Sequence, residues 1–123
     1  MIHTAKAHDM AKGKTSTKGT TVLVDRLWPR GISKEDLRAD EWLKDVAPTP
    51  QLRKWWNHDP DSFDEFAKRY RAELEENDSD DMETLRSLAD KGAVTLLFAA
   101  KDREVNHAVV LKDWLESQLN KKN

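Results

Sequence analysis

The chain contains no cysteine, and only four glycines and four prolines among its 123 residues. Without a thiol there is no disulfide, no thiolate nucleophile, no zinc ribbon and no cysteine-held iron–sulfur cluster. Four glycines are too few for a glycine-rich phosphate cradle. Neither Gly-x-Gly-x-x-Gly nor the full phosphate-loop motif is present, and no nucleophile-elbow signature appears. His-x-x-x-His, HExxH and a calcium loop are also missing, so no metal and no cofactor is expected. The acidic run Asn77-Asp78-Ser79-Asp80-Asp81 lacks the glycine and distal glutamate of an EF-hand and reads as a solvated turn. No apolar run approaches the roughly 20 residues that span a bilayer, and the first residues lack a secretory signal, so a cytoplasmic chain with no membrane partner is expected. Excess charge of one sign is lacking too. With 21 basic and 23 acidic residues the net charge is -2, which carries no global nucleic-acid signature.

What remains is one domain's length of chain, expected to fold as a single unit over residues 1–123. Five Trp, three Phe and one Tyr supply much of the core's bulk. Residues 2–7 suggest a short strand. A small, polar, basic stretch over about 9–19 reads as a loop or hairpin connection. Residues 20–25, with Val22, Leu23 and Val24 in succession, predict a strand buried on both faces that stops before Pro29 and Gly31. Ser33 three residues before Asp36 resembles a capping box, and Leu37, Trp42, Leu43 and Val46 could face inward. Thr49 and Pro50 are placed as N-cap and first helical residue of a helix carrying Leu52, Trp55 and Trp56.

Ser62 and Glu65 form a second capping box before Phe63, Phe66, Ala67, Tyr70 and Leu74 at helical spacing. A helix over about 81–91 ends at Gly92. Residues 93–100 predict another buried strand, and a last helix starts near Asn106, with Lys121 and Lys122 suiting its C-terminal dipole. Strands separated by helices imply an α/β layer fold with a short, mainly parallel sheet, to which a segment between Arg38 and Val46 could add a strand.

In such sheets ligands collect beyond the carboxyl ends of parallel strands. Two clusters meet that condition. One is Asp25, Arg26, Trp28 and Arg30; the other is Lys101, Asp102 and Arg103 with Asn106 and His107 at a helix start. Arginine forks and helix-start N–H groups suit a phosphate or carboxylate. Arg26, Trp28, Arg30, Lys101 and Asn106 are therefore candidate ligand-binding residues. Asp25 and Asp102 could orient an arginine or act as a base, and His58 could carry a proton. The same charges could equally form a structural ion-pair network. Adjacent Trp55 and Trp56 point about 100° apart on a helix, so one could close over the cleft or meet a partner, or both could pack on different core elements.

The run Val22-Leu23-Val24-Asp25-Arg26-Leu27-Trp28-Pro29-Arg30-Gly31 resembles the signature of the YeaO-like branch of the domain-of-unknown-function family 488. The likeness continues through Trp42-Leu43-Lys44, Ala47-Pro48, Leu52-Arg53-Lys54-Trp55, His58, Phe66, Tyr70 and Glu73-Leu74 to Thr95-Leu96-Leu97, Ala100-Lys101-Asp102, Asn106, Ala108 and Leu111, over roughly 20–116. The resemblance implies a small bacterial or archaeal α/β protein and assigns it no activity. A related branch carries Cys-His-Arg after its last strand; this chain has Lys101-Asp102 and Asn106-His107 there, so a thiol mechanism does not transfer. Residues 6–18 are longer and more polar than the family pattern.

Three functions fit these residues. The first is binding of a small anionic ligand, phosphorylated ones included, at the strand-end cleft, with hydrolysis or group transfer as the reaction classes. The second is a single-stranded nucleic-acid module using the basic loop with Trp28, Trp55 or Trp56. The third is a protein-interaction module with exposed tryptophan.

Overall fold

The computed structural model describes residues 1–121. Strand β1 (Ile2–Lys6) leads directly into the short helix α1 (Ala7–Ala11). Strand β2 (Thr20–Leu23) is followed by helix α2 (Lys34–Leu37) and the two-residue strand β3 (Glu41–Trp42). A 3-10 turn over Lys44–Val46 precedes α3 (Pro50–Trp56), and a second over Pro60–Ser62 precedes α4 (Phe63–Glu76). Helix α5 (Asp80–Lys91), strand β4 (Val94–Phe98) and helix α6 (His107–Lys121) complete the chain. Among the described residues no helix is long and apolar enough to cross a membrane.

The four strands pair in the order β1-β4-β2-β3, all parallel. The fold is therefore α/β, as the alternation of strands and helices implies. Val22 pairs with Leu96 and Leu23 with Leu97 at the sheet centre. Successive residues of these strands face opposite layers, which is why they are apolar without alternation. Val22, Val24, Leu96 and Phe98 join the larger core with Phe66, Tyr70, Leu85, Leu111 and Leu115. Leu23 and Leu97 face a smaller cluster with Ala7, Ile32 and Leu37.

Local chemistry sets most helix starts. Ser33 Oγ accepts from the Asp36 N–H, Thr49 Oγ1 from the Leu52 N–H, and Ser79 Oγ from the Met82 N–H. The expected Ser62 cap does not form. A 3-10 turn precedes α4, and the Ser62 hydroxyl donates to Asp59 Oδ2, while Glu65 pairs with Arg69. Other expectations change in detail. The polar stretch over 9–19 begins as helix, and its far end is pinned because Thr95 Oγ1 accepts from the Lys18 N–H and donates to the Lys18 carbonyl. Trp42 turns outward rather than into the core, and Gly92 caps α5 with an extended backbone. Of the two lysines expected at the end of the last helix, Lys121 closes α6 and Lys122 lies outside the described residues.

Gly13 and Gly19 share a φ of +71°, where side chains are disfavoured. Around Gly13 the space is open, whereas a Cβ at Gly19 would meet the Ala93 carbonyl oxygen at 1.9 Å. Gly13→Ala should therefore cost about 1 kcal/mol and Gly19→Ala about 2–3 kcal/mol, because the second must also displace the entry to β2. Urea denaturation of both variants checks this, and equal losses would refute the steric account.

Candidate functional site

Because all strands are parallel, the segments leaving β2 and β4 emerge at one edge of the sheet. Continuing the β2–β4 register by two residues sets Asp25 opposite Ala99. There the carboxylate replaces the backbone as acceptor: Asp25 Oδ2 takes the Ala99 N–H at 2.9 Å. The Asp25 carbonyl accepts from the Trp42 indole at 2.8 Å, which fixes the end of β3 to the same point.

Above this junction lies a cavity of about 250 Å³. Its polar wall consists of Asp25, Arg26, Arg30, Arg53, His58 and His107, and Trp28, Pro29, Ala47, Pro48, Ala99 and Ala100 fill in between. The structure thus brings His58 together with Arg26 and Arg30, although about thirty residues separate them in the chain. A second cavity of about 500 Å³ shares His58, Ala99 and Ala100 with the first, and adds Pro60, Lys101, Asp102 and Val105. Lys101 and Asp102 belong to this second cavity and not to the arginine cavity.

The candidate residues differ in how much of their chemistry is still open. Arg26 donates to the Ala47 and Pro48 carbonyls and lies 3.6 Å from Asp45, so it braces the cavity wall. Its side chain is 27% exposed. Arg30 and Arg53 are exposed. Trp28 donates its indole N–H to the Ile32 carbonyl at 2.6 Å and meets Trp42 edge-to-face at 5.4 Å. Asn106 is fully buried. Its amide oxygen accepts from the Val109 N–H at the start of α6, and its amide nitrogen donates to the Asp102 carbonyl. Asn106 therefore shapes the loop and closes off the helix start that the sequence suggested as an anion contact.

Asp102 Oδ1 accepts from the Glu104 and Val105 N–H groups. The Val105 bond, then the Glu104 bond, hold its carboxyl below the usual carboxylate range, so it makes a poor base and a good loop brace. Asp25 is different. His107 Nε2 lies 3.0 Å from the Val24 carbonyl and 3.1 Å from Asp25 Oδ1. Only the first approach has hydrogen-bond geometry, and since a carbonyl can only accept, Nε2 carries the proton. Asp25 Oδ1 is thus buried with no hydrogen-bond donor among the described residues.

His58 reaches the cavities on a strained backbone. Asn57 closes α3 at φ +47° and His58 follows at φ +57°, while its ring leans on Trp56 at 5.1 Å. Strain of this kind gathers at sites where position matters. Sequence reasoning found His58, placed His107 in the second strand-end cluster at a helix start, and passed over Arg53 as a site residue. The signal for Arg53 was its place one turn inside the Thr49-capped helix. Trp55, the other candidate stacking residue, is 44% exposed and lies under the Arg69 guanidinium at 4.0 Å, outside both cavities. No cluster of three potential metal ligands occurs among the described residues.

Two measurements probe this construction. His58→Gly should be about 1 kcal/mol more stable than His58→Ala, since both lose the ring but only alanine keeps the left-handed penalty. Equal urea midpoints would remove the strain account. Tyr70 donates its buried hydroxyl to the Val46 carbonyl at 2.6 Å, holding the turn that leads into Ala47 and Pro48. Burial, with Glu73 and Asp25 nearby, pushes its phenol well above the ordinary value. A raised folded value means stability fully present below about pH 10, the unfolded phenol value, and lost as pH rises from there through the folded value. Tyr70→Phe should cost about 1–3 kcal/mol at pH 7 by leaving the Val46 carbonyl unpaired. That deficit should shrink in denaturation curves above pH 10, and a constant deficit would contradict the assignment.

Comparison with known proteins bears on the same residues. An uncharacterized protein of Mycobacterium tuberculosis, Rv3073c, is 46% identical over 100 residues, covering 81% of this chain and 83% of the relative. The uncharacterized protein YeaO of Escherichia coli is 40% identical over 116 residues, covering 94% of this chain and 97% of YeaO. No solved structure matches. A family model described as the inactive DUF488-N3 subclade matches residues 1–123, its first strand and polar loop included, and the chain belongs to that family.

Proposed function

We propose that this chain binds a small anionic ligand, a phosphate or a phosphorylated molecule, in the cavity between the β2 and β4 ends. One observation carries the reading: three arginines and two imidazoles line a single cavity that holds one carboxylate. Asp25 offsets one of the three guanidinium charges and Asp45, 3.6 Å from Arg26, offsets another, so the excess positive charge rests with Arg30 and Arg53. Arg30 and Arg53 are the ligand-facing forks, and Arg26 supplies charge from the wall it braces. His58, at the cavity wall, donates to the ligand.

Binding without turnover is the favoured form of this reading. The matching subclade is described as inactive, and the chain has no cysteine. Asp102 is committed to its own loop. Asp25 and His58 then orient the ligand rather than transform it. Hydrolysis or group transfer would need Asp25 to act as a base through Oδ1, its oxygen without a hydrogen-bond donor. Single-stranded nucleic acid is a second reading, favoured by Trp42, which is half-exposed and set against the cavity-lining Trp28.

A thermal-shift series against phosphate, sulfate, sugar phosphates, mononucleotides and short RNA and DNA tests both. A ligand at 100 times its Kd stabilises by about 2.7 kcal/mol, a rise of several degrees for a domain of this size. Arg30→Ala/Arg53→Ala should abolish the rise without unfolding the chain, since neither exposed side chain braces the wall as Arg26 does. A rise with oligonucleotides alone that falls steeply with salt would favour the nucleic-acid reading. No rise with any ligand would refute the anion site.

A further inference from the structure

The two cavities differ in chemistry as well as size. The first, about 250 Å³, gathers Arg26, Arg30 and Arg53. The second, about 500 Å³, contains no arginine; Pro60, Val105, Ala99 and Ala100 give it apolar walls, with Lys101 and Asp102 as its charged groups. They are not separate features, because His58, Ala99 and Ala100 line both. Inorganic phosphate would occupy the arginine side alone and leave the apolar groove unused.

We propose that the ligand is a phosphate monoester with a ring-sized organic group: its phosphate lies among the arginines and its ring crosses the Ala99–Ala100 segment into the groove beneath Pro60 and Val105. This rests on the anion-binding reading above and adds the organic part. Three observations support it. Asp102 accepts from the Glu104 and Val105 N–H groups, so the groove's outer loop is set before any ligand arrives, and little ordering is required on binding. Val105 packs against the main core, which makes that wall rigid. His58 lines both cavities from a left-handed backbone, so it is the one side chain with a polar tip that the two share.

The charge pattern agrees. A monoester is doubly ionised near its phosphate and uncharged in its ring, matching a cationic cavity joined to an apolar one. Lys101 at the groove would still attract the anion from a distance.

Isothermal titration of the full chain with inorganic phosphate, methyl phosphate and phenyl phosphate tests the proposal. Methyl phosphate keeps the charge and the ester bond but has no ring. Phenyl phosphate should bind at least about tenfold more tightly than methyl phosphate, as burial of part of a ring provides. Val105→Phe and, separately, Pro60→Phe should each fill the groove and reduce that ratio to below about twofold, leaving the Kd for inorganic phosphate unchanged. Circular dichroism identifies a variant that fails to fold, and the other then decides. If phosphate and both esters bind equally well, the groove carries no ligand and the proposal fails while the anion site stands. If the ring is favoured but neither variant alters the ratio, the ring lies elsewhere and the proposal also fails. If none of the three probes binds, the anion reading itself is overturned.

Discussion

The parallel pairing of β2 with β4 is the constraint from which the rest of the cleft follows. It places the chain leaving each strand at one edge and fixes, through a register of Val22 on Leu96 and Leu23 on Leu97, which residues meet there. Asp25 then does what a further strand residue would otherwise do, taking the Ala99 N–H on its side chain instead of a carbonyl. The ladder ends, the two segments diverge, and the space between them is the arginine cavity. β3 is tied to the same point through the Trp42 indole and the Asp25 carbonyl. Loss of the Asp25 carboxylate would free the Ala99 N–H, whereas the tie to Trp42, made to the backbone carbonyl, does not depend on the side chain.

Around that junction, charge is divided between building the site and serving it. Arg26 gives its donors to the carbonyls of Ala47 and Pro48, Asn106 gives its amide to the start of α6, and Asp102 closes its own loop. These three account for much of the conspicuous charge and polarity in the two strand-end clusters, and they are structural. Arg30, Arg53 and His58 are exposed and line the cavity. Asp25 Oδ1 is buried beside His107 Nε2 at 3.1 Å, outside hydrogen-bond geometry, so this carboxylate oxygen is not committed to a backbone partner as Oδ2 is.

The five tryptophans show how one residue type is distributed by position. Trp56 stacks on Phe66 at 4.1 Å, and Trp114 is buried with its indole N–H donated to Glu75. Trp28 and Trp42 form an edge-to-face pair at the cleft rim, each with its indole N–H satisfied by a backbone carbonyl. Trp55 is 44% exposed and lies under the Arg69 guanidinium. A buried indole with its N–H satisfied is stable; the rim pair satisfies the same rule while leaving ring surface at the edge of the cleft.

Much of this molecule was legible from local patterns. Three apolar residues in succession at Val22–Val24 and again at Leu96–Phe98 mean strands with both faces covered, since a one-sided strand would alternate. Ser33, Thr49 and Ser79 mark helix starts because a side-chain oxygen there satisfies an N–H that nothing else reaches. The run from Val22 to Gly31 carried the family, which the match over residues 1–123 bears out. Its cluster of Asp25, Arg26 and Arg30 was visible as a candidate site for the same local reason: strand ends expose their loops. Other features depended on packing between segments distant in sequence. No local rule told Arg26 from Arg30, because whether a guanidinium meets a carbonyl or open space depends on where Ala47 and Pro48 fold back. The Ser62 box failed for a nearer reason: Asp59, three residues before it, takes its hydroxyl in a turn whose Asp59 carbonyl accepts from the Trp56 indole. His107 came to lie beside Asp25, and Arg53 and His58 came to line one cavity with Arg26 and Arg30, through the packing of helices against a parallel sheet. Sequence by itself determined the strands, most of the caps and the family; tertiary structure alone decided which charged groups were spent and which remained open, because that depends on distances between residues far apart in the chain.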